Sequence, residues 1–305
     1  MSARPDLRDG LAGGRPVRLV AVHAHPDDET LATGLTLAHH VEAGDVVHVV
    51  TCTLGEEGEV ITPAHADLEG RGEELAEHRR GELAAAMRRL GVQHHFLGGA
   101  SPRWRDSGMA GSQAAGHPRA FAGADVEEAA GLLATQLAAL EPDVVLTYDP
   151  WGGYGHPDHV QTHRVTVRAV ELLAEAAGGT GAPPPRLYVV LTPTSWAQED
   201  RRWLAEHVPD DVRSPAGGPA RVPTADEPYP PGVVDDAVVT HTVEDPAALP
   251  RQRAALSEHP TQVTLHDGWF TLSNDVAARL PGREGYAAWP AAQDALARLQ
   301  GVPPG

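Results

Sequence analysis

Apolar residues crowd positions 17–22, Val-Arg-Leu-Val-Ala-Val, and give way to a polar cluster, His25-Pro26-Asp27-Asp28-Glu29. Leu31, Leu35, Leu37, Ala38 and Val41 then recur at helical spacing, and Gly44 closes the run. The pattern predicts a strand over 17–24, a tight turn, and a helix over 28–43. It repeats along the chain. Strands are expected over 46–54, 94–97, 143–149 and 186–192, and helices over 73–90, 125–140 and 158–177, with Gly91 as a helix stop. Strands alternating with helices predict an α/β fold: a Rossmann-like, mostly parallel sheet flanked by helices.

Beyond residue 193 the pattern weakens. A strand over 237–243 and helices over 245–258 and 283–300 are expected, while 178–185 reads as a turn or linker and 208–233 as loop. The division that follows has three parts. Residues 1–16 form a flexible lead, 17–192 the Rossmann-like metal-binding catalytic domain, and 193–305 a smaller C-terminal lobe completing a substrate crevice. The Gly/Ser-rich segment 98–124 is long for a loop inside a compact domain, a length usually tied to function.

Charge narrows the partners. Forty-two acidic residues against 24 basic ones give a formal charge of −18, which argues against nucleic acid or an anionic membrane as partner. Cys52 is the only cysteine, so no internal disulfide forms, and its place in an apolar strand makes it a small buried residue. The first 16 residues lack an apolar core, and no run approaches the ~20 apolar residues that span a bilayer. A cytoplasmic protein acting on a small molecule is expected, and oligomeric state is not legible.

The chemistry gathers at two strand ends. The first carries His25, Asp27, Asp28 and Glu29; the second runs Pro150-Trp151-Gly152-Gly153-Tyr154-Gly155-His156-Pro157-Asp158-His159. Ligands in open α/β sheets bind outside the carboxyl ends of strands. One imidazole and three carboxylates within five residues repel one another unless a cation sits among them. His25, Asp28 and His159 suit a divalent metal with an open position for water. Zinc fits, and a His/His/Asp set also accepts ferrous iron. Asp27, beside the ligands, suits a general base, although Asp27 or Asp28 could instead cap the helix. Tyr154, between two glycines, can donate to an oxyanion. Asp158 can support His156 as an acid or charge stabiliser. His163 follows His159 at i+4, but no Glu completes a zincin pattern, so it reads as structural. His39, His40, His94 and His95 read as surface residues. No Gly-x-Gly-x-x-Gly follows the first strand, and the loop Gly55–Glu59 is acidic, which excludes a dinucleotide site there.

At these residues the chain resembles the PIG-L-like zinc deacetylase superfamily. Ala24-His25-Pro26-Asp27-Asp28-Glu29 matches its first motif and His156-Pro157-Asp158-His159 its second. Within it the likeness is to the mycothiol-pathway branch that deacetylates N-acetylglucosaminyl-inositol. That likeness extends through Cys52–Val60, Arg103–Ala110, Gly152–Gly155 and Thr261-Gln262-Val263. The resemblance implies zinc on His25, Asp28 and His159, with Asp27 as base. It implies that Tyr154 and His156 serve the tetrahedral intermediate, with Asp158 behind His156. It also implies sugar contacts from Arg79 and Asp106, and a mobile loop at Met109. The chain departs from the family between about 180 and 235.

Two other readings compete. The sister amidase that cleaves mycothiol S-conjugates shares the metal site; the segments 54–58 and 104–109 resemble the deacetylase instead. A non-catalytic Rossmann-like module with a structural metal would need a closed, cysteine-rich ligand set, and one Cys is too few.

Overall fold

The computed structural model describes residues 4–11, 14–178, 183–209, 211–212 and 219–299. Parts of the expected lead (1–3, 12–13), linker (179–182), loop (210, 213–218) and C-terminal tail (300–305) lie outside the described residues. In chain order the elements begin β1 (Arg18–His23), α1 (Asp28–Ala32), α2 (Gly34–Glu42), β2 (Val46–Thr51), α3 (Gly72–Leu90), β3 (Gln93–Phe96) and α4 (Val126–Leu140). They continue with β4 (Val144–Tyr148), α5 (Gly152–Gly155), α6 (Pro157–Ala177), β5 (Arg186–Val190), β6 (Thr192–Pro193) and α7 (Thr194–His207). The chain then runs through β7 (Val233–Val234), β8 (His241–Glu244), α8 (Leu249–Leu256), β9 (Thr264–Leu265), β10 (Trp269–Thr271), β11 (Ala278–Arg279), β12 (Arg283–Trp289) and α9 (Gln293–Leu299).

The main sheet has seven strands in the order β3-β2-β1-β4-β5-β12-β8. The first five are mutually parallel; β12 runs antiparallel to both β5 and β8. Successive β1 residues face opposite sides. Leu19 and Ala21 join a core with α2 and α3, while Val20 and Val22 join one with α4 and α6. Burial on both faces explains the unbroken apolar run that marks this strand in the sequence. Between β1 and β4 the strand order reverses, and a crevice opens there at their carboxyl ends.

Some expectations need correction. The single helix over 28–43 breaks at Thr33 into α1 and α2. The helix over 283–300 is instead a strand, β12, followed by the short α9. Arg-Glu-Gly-Tyr-Ala-Ala-Trp carries helix formers, yet the gap between β5 and β8 pairs it as a strand; tertiary context overrides weak propensity. The main sheet therefore continues past residue 192 into the C-terminal part. The lead is also anchored where it is described: Leu7 is fully buried in the core, and the Arg186 guanidinium donates to the Asp9 and Gly10 carbonyls.

The lead, α2 and the segment before α8 meet at His39, which is not a simple surface residue. Its Nδ1 lies 2.7 Å from Asp245 Oδ2 and its Nε2 3.4 Å from Asp6 Oδ2. His40 is fully buried, 2.8 Å from Asp45. His94 and His95 are half-buried. Hydrogen bonding to Asp6, and then to Asp245, raises the His39 pKa to about 9 against the opposing effect of burial. A folded pKa raised above the unfolded value stabilises below the unfolded pKa, and that stability is lost as pH rises through about 9. His39→Gln should therefore lower Tm at pH 6 and have little effect near pH 10. A Tm decrement that does not change with pH would rule out this ionic anchor.

Candidate active site

Two turns meet in the crevice. After β1 the chain turns through Pro26 and Asp27 into α1, and Asp27 takes φ 108°, a conformation that residues with a Cβ rarely adopt. Such a backbone costs on the order of 1–3 kcal/mol and needs its surroundings to hold it. Arg79, buried on α3, supplies part of the hold. Its Nη1 donates to the Gly55 carbonyl at 2.7 Å, and its Nη2 to the Pro26 carbonyl and to Asp27 Oδ2, the latter at 3.0 Å. Glu29 supplies another part, accepting from the Asp27 N–H at 3.1 Å. Burial, with the Asp28 and Glu29 charges, pushes the Asp27 pKa up to about 7 against the pull of Arg79 and His259.

After β4 the glycine-rich turn passes over α6. Gly152 has φ +66°, and a Cβ there would stand 2.5 Å from His159 Cβ, so only glycine lets the turn close over the helix. The closure fixes His159. Its Nδ1 donates to the Gly152 carbonyl at 3.1 Å, its ring stacks on Tyr148 at 4.2 Å, and its Nε2 lone pair points into the crevice.

Three donor atoms converge there. His25 Nδ1 and Asp28 Oδ2 are 3.1 Å apart, His159 Nε2 and Asp28 Oδ2 3.3 Å, and His159 Nε2 and His25 Nδ1 3.2 Å. Ligands about 2.0–2.1 Å from a tetrahedral metal lie about 3.3 Å from one another. The set thus fits a divalent ion, and the crevice leaves one side open for water and substrate. The opposite edge of His25 faces two carboxylates: Nε2 lies 3.3 Å from Asp158 Oδ2 and 3.4 Å from Asp106 Oδ1. Carboxylates behind a histidine ligand fix its tautomer and orientation. Burial alone would lower the His25 pKa; Asp106, Asp158 and Asp28 outweigh it and hold it well above the usual range. Burial likewise works to raise Asp28, but His159 and His25 draw it well below the carboxylate norm.

Asp158 was expected to support His156. Its carboxylate serves His25 instead and accepts from the Ser107 N–H at 2.9 Å; only its backbone N–H reaches His156, at Nδ1, 3.2 Å. With Nδ1 accepting, a neutral His156 carries its proton on Nε2. Burial, aided by His25 and His159, pushes the His156 pKa down to about 4. Arg79 and Asp106 both line the crevice, but the Arg79 Nη atoms and the Asp106 carboxylate engage protein: Arg79 as above, Asp106 with the Gly108 and Glu57 N–H groups and His25. Met109 and Tyr154 are the large hydrophobics left exposed among the described residues, at 54% and 57%, both at the crevice. The Tyr154 ring stands 5.1 Å from His159. His163 stays outside, its Nδ1 bonded to the Tyr148 carbonyl at 2.8 Å. Cys52 is buried, its thiol pushed up to about 12 by burial.

Sequence reasoning missed Tyr148, whose hydroxyl accepts from the Ala24 N–H at 3.0 Å, and His259, 3.3 Å from Glu29. Tyr148 ends a strand read only for its apolar pattern. His259 lies in a stretch with no motif signal. The crevice, about 550 Å³, is closed on its far side by C-terminal residues, among them Gln262, Phe270 and Leu272.

A parallel α/β sheet with two histidines and a carboxylate spaced for one ion, and a buried carboxylate beside them, suits the class of metal-dependent hydrolases. Residues 20–170 match the family model described as PIG-L, GlcNAc-PI de-N-acetylase. The chain belongs to the PIG-L family. It is 47% identical over 278 residues to the 1D-myo-inositol 2-acetamido-2-deoxy-alpha-D-glucopyranoside deacetylase of Thermomonospora curvata, spanning 88% of this chain and 89% of that protein. The protein of the same name from Mycolicibacterium smegmatis is 45% identical, again across 88% and 89% of the two chains. The fold is shared with a solved deacetylase–teicoplanin complex from teicoplanin biosynthesis, with TM-score 0.52 and 16% identity, covering 90% of this chain and 100% of that one. Among the described residues no helix is long and apolar enough to cross a membrane.

Proposed function

We propose that this protein is a zinc-dependent deacetylase that removes the acetyl group from 1D-myo-inositol 2-acetamido-2-deoxy-α-D-glucopyranoside in mycothiol biosynthesis, in the cytoplasm. The observation that carries the reading is the 47% identity across 88% of the chain to a relative of that name. His25, Asp28 and His159 would hold the ion; nitrogen and carboxylate donors suit zinc, and ferrous iron is the alternative. When bound, the ion supplies Lewis acidity to the acetamide carbonyl and to water.

The chain's own groups do the rest. Asp27, held by Arg79 and raised toward neutrality, takes a proton from the attacking water. The Tyr154 hydroxyl and the His156 Nε2–H donate to the oxyanion of the tetrahedral intermediate. His156 accepts at Nδ1 and so acts as a neutral donor. The proton held on Asp27 then passes to the leaving amine, and acetate and glucosaminyl-inositol are released.

Purified protein offered this substrate and a mycothiol S-conjugate side by side, with metal analysis of the same sample, tests the reading. Acetate should appear faster than conjugate cleavage, with zinc in the sample. A preference for the conjugate would make the protein the sister amidase, and no acetate release from metal-loaded protein would overturn the proposal.

The contacts of Asp106 and Arg79 support roles in orienting His25 and Asp27. Asp106→Asn should weaken metal binding or activity by about 10–100-fold, the usual effect of losing a partner behind a metal ligand. Arg79→Ala and Asp106→Ala should lose as much on a simple N-acetylated amine as on the full substrate. A much smaller loss on the simple amine would return both residues to sugar recognition.

A further inference from the structure

The turn that carries Asp27 is held from three directions, and the mechanism above uses only one of them, Arg79. The second is Glu29. Its Oε2 accepts from the Asp27 N–H at 3.1 Å, and its Oε1 accepts from the Thr30 hydroxyl at 2.6 Å. Glu29 is fully buried, and a buried carboxylate needs a partner of opposite charge. The third hold supplies that partner: His259 Nε2 stands 3.3 Å from Glu29 Oε1, and His259 is itself fully buried.

His259 comes from the opposite end of the chain and is rigidly presented. It sits in the turn after α8, where the Gln262 and Val263 N–H groups both donate to its carbonyl, at 3.0 and 2.9 Å. That turn is tied down on two sides. Thr261 donates through its N–H and hydroxyl to the two Glu82 oxygens at 3.0 and 2.7 Å, and Gln252 on α8 donates to the Thr30 carbonyl at 3.0 Å. Two side chains therefore face the crowded acids of this turn: Arg79 meets Asp27, and His259 meets Glu29.

We propose that His259 is a positioning residue for Asp27, acting through Glu29, which holds the Asp27 main chain in its left-handed conformation. This inference rests on Asp27 being the base. It gives the C-terminal segment a part in the chemistry besides walling the crevice. Glu29, adjacent to the metal turn, becomes a carrier of orientation.

The test uses full-length, metal-loaded protein and four variants: Asp27→Asn, Glu29→Gln, His259→Gln and the Glu29→Gln/His259→Gln double. Turnover, KM, metal content and Tm are measured on each. His259→Gln and Glu29→Gln should each lower kcat by about 10–100-fold, with KM and metal content near the parent values. The double variant should be little worse than either single one, because both act through one contact. Independent, multiplying losses in kcat would overturn the proposal. So would metal loss in step with activity, which would make the pair a support of the ion. Should His259→Gln fail to fold, Glu29→Gln still decides: normal kcat in that variant overturns the inference. Asp27→Asn separates the two levels. Near-normal turnover there ends the assignment of the base itself, whereas an inactive Asp27→Asn beside a normal His259→Gln ends only the role of His259.

Discussion

Replacing His25 or His159 with alanine is expected to strip the protein of its metal and take turnover to background. The three donor atoms lie within 3.1–3.3 Å of one another, so each is one of three protein ligands available to the ion. His156 could join His25 and His159 around an ion, but either substitution removes a member of that group too. The two remaining ligands would hold an ion poorly. The loss should appear in elemental analysis of the purified variants and should not depend on the substrate used. Full metal occupancy in both His25→Ala and His159→Ala would end this ligand assignment.

Asp27→Ala or Asp27→Asn is expected to keep the metal and lose about 10²–10⁴-fold in kcat, the usual contribution of a general base. The asparagine variant is the cleaner probe. Asparagine tolerates positive φ, and its amide oxygen can still accept from Arg79, so the turn keeps its shape while the base is lost. Metal loss in these variants would make Asp27 a ligand. Near-normal turnover would sink the mechanism.

The two predictions separate because the two neighbouring acids face different partners. Asp28 meets two imidazoles, which draw its pKa well below the carboxylate norm against burial, as the proposed ligand role requires. Asp27 meets one guanidinium in a buried turn and is pushed up to about 7, where taking and returning a proton is easiest. Two adjacent aspartates thus acquire different chemistry from their surroundings, a division the motif alone does not carry.

The sequence by itself determined what is local. Apolar runs ending in polar, glycine-rich turns marked β1, β4 and the helices after them, because strand and helix periodicities are written in neighbouring residues. Both clusters of His and Asp were legible for the same reason, as was the absence of a phosphate-binding glycine loop. The tertiary structure decided what depends on residues far apart in the chain. It paired Arg283–Trp289 as a strand because the position between β5 and β8 required one. It set Arg79 on Asp27 and turned both Asp106 and Asp158 toward His25, where sequence reading had given them to the sugar and to His156. It brought His259 to Glu29 across about three quarters of the chain. A buried charge acquires its role from whichever opposite charge the fold sets beside it, and that neighbour is fixed by packing, not by proximity in sequence.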